Sequence, residues 1–137
     1  MAVETYADVR DGLERHDDHR VVTVATKAYA RIAAAWKLRN DDAAELIAVS
    51  PRTWSRMKSQ GWSGRLSKDQ LTRISAFVGL YKALHLYFSD DLADDWITLD
   101  NAGPTFAGKA PAKKMIEGGL PAILETRDYV DALRGGV

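Results

Sequence analysis

Two short helical segments follow each other without a linker in the first half of the sequence, and this junction strongly restricts the fold. The first, "NDDAAELIAV", offers Asn40 or Asp41 as an N-cap and places carboxylates in its first turn, at the positive end of the helix dipole. The second, "SPRTWSRMKSQG", has Ser50 to cap it, Pro51 for its first turn and Gly61 to end it. With a helix ahead of them, two short helices joined by a tight turn fit a helix-turn-helix over residues 25–60.

Helical patterns fill most of the remaining sequence, and strand patterns are nearly absent. Ser67 and Gln70 form a capping box that opens a long helix. An acidic segment then restarts a helix, and a short helix beginning at Pro111 is separated from the last one by Gly118 and Gly119. The pattern predicts an all-α protein.

The alanine-rich segment "VVTVATKAYARIAAAWKL" predicts an amphipathic helix ahead of this pair, because its apolar residues recur at three- and four-residue intervals. The stripe expected to face the core is Val21, Val24, Ala25, Ala28, Ile32, Ala35 and Trp36.

Composition excludes several classes of protein. The chain of 137 residues contains no Cys, so disulfides, thiolate metal sites and a cysteine nucleophile are excluded. No apolar run approaches the roughly 20 residues that a membrane span needs. We therefore expect a cytoplasmic protein with no membrane contact.

The net charge of zero conceals a basic segment. Residues 50–73 carry six basic and one acidic side chains, a net charge of +5, between two acidic flanks. Attraction to a polyanion depends on the local patch and not on the total charge. This segment favours nucleic acid as a partner.

The second helix of the pair would lie in the DNA major groove, with its polar face towards bases and phosphates. Its apolar face is accounted for by Pro51, Trp54 and Met57. The predicted DNA-binding residues are Arg52, Thr53, Ser55, Arg56 and Ser59. The alternative is a plain helical hairpin with solvated arginines, and the charge of the segment favours DNA.

The other motifs indicate neither a cofactor nor a metal. Gly103, Gly108 and Lys109 fit the spacing of a phosphate-binding loop, but Ala110 follows where Ser or Thr is needed, and no strand precedes it. This passage is interpreted as a turn.

The histidines and the acidic residues can also be explained without a metal site or a catalytic role. His16 and His19 are expected to be solvated, and His85 to be a packing or surface residue. The acidic residues from Asp90 to Asp95 suit the start of a helix. Because no nucleophile, base and oxyanion donor come together, the sequence predicts no enzyme.

The stretch "DDWITLDNAGPTFAGKAPAKKMIEGGLPAILETRDYVDALRGGV" resembles the toxin-binding domain of the Xre/MbcA/ParS antitoxins. The resemblance rests on Trp96, the passage from Asn101 to Pro111 with its helix, the glycine break and the closing Arg-Gly-Gly. The upstream "LSKDQLTRISAFVGLYKALHLYF" resembles the helix that joins this domain to an Xre-like helix-turn-helix. The resemblance covers about residues 25–137.

The resemblance implies an antitoxin whose partner is a RES-domain toxin, an enzyme that depletes NAD. It implies that the C-terminal part binds over the toxin's active site and that the helix-turn-helix binds operator DNA. The implied toxin-binding residues are Trp96, Lys109, Tyr129, Arg134, Gly135, Gly136 and Val137.

The expected organisation is a helix-turn-helix domain over residues 1–66 and a linking helix with the toxin-binding domain over residues 67–137. A homodimer is expected within the toxin–antitoxin complex, because repressors of this type read paired half-sites. The alternative is a stand-alone transcriptional regulator whose C-terminal part only dimerises.

Overall fold

The computed structural model describes residues 18–135, apart from the side chain of Arg134, and every regular element in this range is helical. The elements are α1 (His19–Ala35), α2 (Asn40–Leu46), α3 (Pro51–Met57), α4 (Lys68–Tyr87), α5 (Asp90–Asp95), a 3₁₀ turn (Trp96–Thr98) and α6 (Pro111–Arg134). The predicted all-α fold is confirmed. Within the same residues, no helix is both long and apolar enough to cross a membrane.

Helix α1 buries a stripe that is rotated from the predicted one and shares Ile32 with it. The buried residues are Val22, Thr26, Tyr29, Ile32 and Ala33. Trp36, just beyond the helix, is also buried as predicted, whereas Val24 is 69% exposed. The rotation of the helix follows Tyr29, whose ring meets Trp54 edge-on at 5.3 Å and whose hydroxyl donates to the carbonyl of Ala43 at 2.7 Å. One buried aromatic ring contributes more contact area than several alanines, so it decides which face is inside.

The predicted start of α3 is confirmed. The Ser50 hydroxyl accepts from the backbone N–H of Thr53 at 3.0 Å, and Pro51 occupies the first turn. Pro51 itself is exposed, contrary to the predicted apolar face, because the core ends at Trp54. Gly61 has a positive φ of 82° but lies in the loop after the helix.

Helix α2 begins without the predicted side-chain cap. Its N-cap is Arg39, which makes no capping hydrogen bond through its side chain. Asn40 is the first helical residue, and its Oδ1 accepts from Nζ of Lys58 at 2.7 Å and lies 3.4 Å from Nε1 of Trp54. The amide is therefore occupied in tying α2 to the end of α3.

Helix α4 is the central element, because it is covered on two sides. Its capping box between Ser67 and Gln70 is formed as predicted. The ring of Phe77 packs against Tyr29 and Trp36 of α1, at 5.7 and 6.0 Å. The opposite side packs on α6, where the guanidinium of Arg127 occupies the place that a Cβ on Gly79 would take. The absence of a side chain at Gly79 therefore allows α6 to pack closely here.

This double burial gives α4 buried residues on more than one side. They are Leu71, Ile74, Ala76, Phe77, Leu80, Ala83 and Leu84. A helix with a single neighbour buries one stripe, so the broader set here follows from its two neighbours.

Helix α6 is broken at Gly119, where φ is 66° and ψ is −152°, a combination that is essentially restricted to glycine. The predicted glycine break is therefore confirmed. Buried side chains form one hydrophobic cluster that extends from Val22 in α1 to Val130 in α6. The proposed domain boundary after residue 66 stays a prediction.

Candidate DNA-binding and partner-binding sites

Helix α3 presents a polar face outwards because its other face is anchored in the core. Trp54 and Met57 are 2% and 4% exposed. Of the residues predicted to contact DNA, Thr53 is half-buried, and the four exposed ones are Arg52, Ser55, Arg56 and Ser59. The structure brings these five residues together on one short helix and its C-terminal end.

The two arginines are the charged groups on this face. Within the described chain, no acidic side chain forms an ion pair with Arg52 or Arg56. Two of the predicted hydroxyls are already engaged: Oγ1 of Thr53 accepts from Ser50 at 3.0 Å, and Ser59 donates to the carbonyl of Arg56. Charge for a phosphate or a guanine edge therefore comes from the arginines.

Two of the predicted toxin-binding residues, Trp96 and Tyr129, stack on each other in a second aromatic cluster. Their ring centroids are 6.2 Å apart with planes inclined by 23°. Phe106 meets both rings edge-on, at 5.6 and 5.1 Å. Trp96 is only 8% exposed, so it positions the half-buried Tyr129 and offers little surface of its own to a partner.

Lys109, a third predicted toxin-binding residue, stands at the end of a closed loop. The backbone N–H of Gly108 donates to the carbonyl of Asn101 at 2.8 Å, and the N–H of Asn101 donates back to the carbonyl of Lys109 at 3.1 Å. Nζ of Lys109 bonds Oε2 of Glu117 at 2.7 Å, and this ammonium lowers the pKa of Glu117 below its usual value. The lysine charge is thus already paired within the chain.

The remaining predicted toxin-binding residues lie at the end of α6. The backbone of Arg134 is the last helical residue, and the N–H of Gly135 donates to the carbonyl of Asp131 at 2.9 Å. The side chain of Arg134 and the residues Gly136 and Val137 lie outside the described residues. The last buried residue before this end is Val130.

His85 forms a network that the sequence did not reveal. Its Nδ1 lies 3.0 Å from Oδ1 of Asp90 and its Nε2 lies 2.8 Å from Oδ1 of Asp94, while its ring packs against that of Tyr81, with centroids 4.3 Å apart and planes inclined by 39°. Burial lowers the pKa of His85, but the two carboxylates raise it by more, so the net pKa lies above its usual value. The same burial and carboxylates raise the pKa of Tyr81.

We expect this network to make stability depend on pH. A histidine whose pKa is raised by folding stabilises the protein fully below its unfolded pKa of about 6.5, and this contribution is lost as the pH rises through the folded value. Relative to His85→Gln, the wild type should therefore be more stable in urea near pH 5.5, by up to about 1 kcal/mol, and this advantage should decline as the pH is raised in steps into the alkaline range. An advantage that stays constant over the pH series would contradict the charge effect.

No metal site emerges from the described chain, in which no three His, Cys, Asp or Glu side chains are arranged to hold an ion. His19 is exposed at the start of α1, and its predicted neighbour His16 lies outside the described residues.

Comparisons with known proteins agree with the N-terminal geometry. Residues 19–79 match the family described as the antitoxin Xre-like helix-turn-helix domain, a span that runs from the start of α1 to Gly79 in α4. Protein y4oB of Sinorhizobium fredii (strain NBRC 101917 / NGR234), an uncharacterized protein, is 34% identical over 127 residues, which cover 91% of this chain and 95% of y4oB. No solved structure matches the chain. The chain therefore belongs to the same family as y4oB, and its residues 19–79 form an antitoxin Xre-like helix-turn-helix domain.

Proposed function

We propose that this protein is the antitoxin of a type II toxin–antitoxin pair. It neutralises a RES-domain toxin that depletes NAD by binding over the toxin's active site. It represses its own operon by binding operator DNA through α3, as a homodimer within the complex. It acts by binding and carries out no chemistry of its own.

The observation that carries this proposal is the outward face of α3 within a domain that matches the antitoxin Xre-like family. Arg52 and Arg56 extend from a helix that Trp54 fixes in the aromatic core, and no acidic side chain of the described residues neutralises them. A rigid helix with unpaired arginines on its exposed face is suited to the major groove.

The second half of the proposal assigns residues 67–137 to toxin binding. Three features support it. The aromatic cluster around Trp96 gives this part a fixed scaffold. The break at Gly119 redirects the second half of α6. Among the residues beyond Val130 whose burial is described, namely Asp131, Ala132, Leu133 and Gly135, none is buried, which supports an end that is available to enter a cleft. An arginine on a narrow glycine-bearing tip suits a cleft built for a charged dinucleotide.

Co-expression tests this function. We expect a RES-domain protein encoded beside this chain to arrest growth when it is produced alone, and the arrest to be relieved when this chain is produced with it. The two proteins should also copurify as a complex whose mass gives the number of antitoxin copies. Sustained arrest in the presence of the folded chain would reject toxin neutralisation.

A further inference from the structure

A groove of about 450 Å³ lies beside α3, between α1 and the segment that follows α3. One wall is a face of α1 that includes Thr23, Lys27 and Arg31, and the other wall runs from Met57 to Ser63. None of the residues predicted to bind DNA lies on the α1 wall.

The groove is cationic. Its lining includes Lys27, Arg31 and Lys58 and contains no acidic side chain. Lys27 and Arg31 are exposed, and neither has an ion-pair partner among the described residues. Two unpaired cations one helical turn apart attract an anionic group into the space between the walls.

The α1 wall also holds hydrogen-bonding groups that the fold leaves unused. The Oγ1 atoms of Thr23 and Thr26 are buried and have no hydrogen-bond partner in the described chain, and Thr26 is only 5% exposed. Buried hydroxyls are nearly always paired in folded proteins. Both hydroxyls lie just under the surface of the wall beside the two cations, so rotation of a threonine side chain would turn a donor towards a phosphate oxygen in the groove.

The groove is continuous with the face of α3 that we assign to DNA. Ser59 lines the groove and also continues the row of Arg52 and Arg56 on the exposed side of α3. A duplex that meets this row therefore brings its backbone to the mouth of the groove.

We propose that this groove binds a phosphate of the DNA backbone beside the site that α3 contacts, with Lys27 and Arg31 as the cations and the threonine hydroxyls as further donors. The inference rests on the proposed DNA-binding function. It assigns to α1 a positioning role, in which phosphate contacts fix the register of α3 without reading the sequence.

The test compares Lys27→Ala/Arg31→Ala with a control, Lys82→Ala/Lys113→Ala, which removes the same charge from α4 and α6. Affinity for a duplex carrying the DNA upstream of the gene, and for a duplex of unrelated sequence, is measured over a series of salt concentrations. The groove variant should lose affinity for both duplexes by a similar factor, and the slope of log affinity against log salt should become shallower by about 2. The control should keep a slope close to that of the wild type.

A groove variant with the wild-type slope would overturn the inference, even if a free nucleotide proved to bind there. An equal loss of slope in the control would also overturn it, since the effect would then come from net charge. Wild-type protein that binds neither duplex would instead reject the proposed function, so the two failures are distinguishable.

A separate variant measures the contribution of the threonine hydroxyls. Thr23→Val keeps the volume and removes no charge, so it should lower the affinity for both duplexes several-fold and leave the salt slope unchanged. An affinity equal to that of the wild type would contradict the part assigned to the hydroxyls.

Discussion

Replacing Arg52 and Arg56 together with alanine should lower the affinity for operator DNA by about 100-fold or more, because a good contact between an arginine and a base is typically worth about 1–3 kcal/mol. The fold should survive, since both side chains are exposed and neither holds a partner in the described chain. The salt dependence should also become shallower for any phosphate contact that is lost. Titration of labelled operator DNA over several salt concentrations measures both effects.

The discrimination between operator and unrelated DNA separates this variant from the groove variant. Loss of the α3 arginines should reduce that discrimination, whereas loss of Lys27 and Arg31 should preserve it. The Lys82→Ala/Lys113→Ala variant serves as the charge control here too. Operator affinity that remains at the wild-type level would show that α3 is not the helix that reads DNA.

Removing residues 134–137 should weaken toxin neutralisation far more than DNA binding, and we expect toxin affinity to fall by at least about 100-fold. The physical reason is that these residues lie beyond Val130, the last buried position described on α6. Their removal leaves every buried residue described on α6 in place, while the proposed tip is lost. Relief of growth arrest and the affinity of the purified pair measure the first effect, and operator titration measures the second.

Single substitutions refine this experiment. Arg134→Ala removes the cation and keeps the glycines, so it should retain part of the neutralising activity. Asp128→Ala changes an exposed position on the same helix and should behave as the wild type. If truncation weakened DNA binding as much as neutralisation, the division of labour between the two ends of the chain would be wrong.

Features set by neighbouring residues could be predicted from the sequence. The caps at Ser50 and Ser67 depend on side chains that reach three residues along the chain, and both are formed. The break at Gly119 follows from a glycine pair ahead of a proline, and it too is present. Such features need no knowledge of what packs where.

Features set by distant residues could not be predicted. The rotation of α1 depends on Tyr29 meeting Trp54, which the spacing of alanines does not reveal. Asn40 has the sequence of a cap, but its amide is engaged by Lys58, 18 residues away. Nor does the sequence show that the turn after α4 carries Asp90 and Asp94 back to His85.

The two candidate sites differ in the same respect: one is set by neighbouring residues and the other by distant ones. The exposed face of α3 follows from local periodicity, so its residues could be named one by one from the sequence. The cationic groove could not, because its walls come from segments more than 25 residues apart in the sequence, from Lys27 or Arg31 to Ser59 and Ser63. The burial of Trp96 is likewise a property of the packed cluster, and its place in the sequence gives no sign of it.

The two-sided packing of α4 limits how relatives of this protein can exchange parts. Phe77 faces the rings of α1, and Gly79, two residues later, accommodates Arg127 of α6. A recombination event that replaced either half would have to bring an α4 matched to both neighbours. We therefore expect relatives to inherit the helices on both sides of α4 together, as one packed unit.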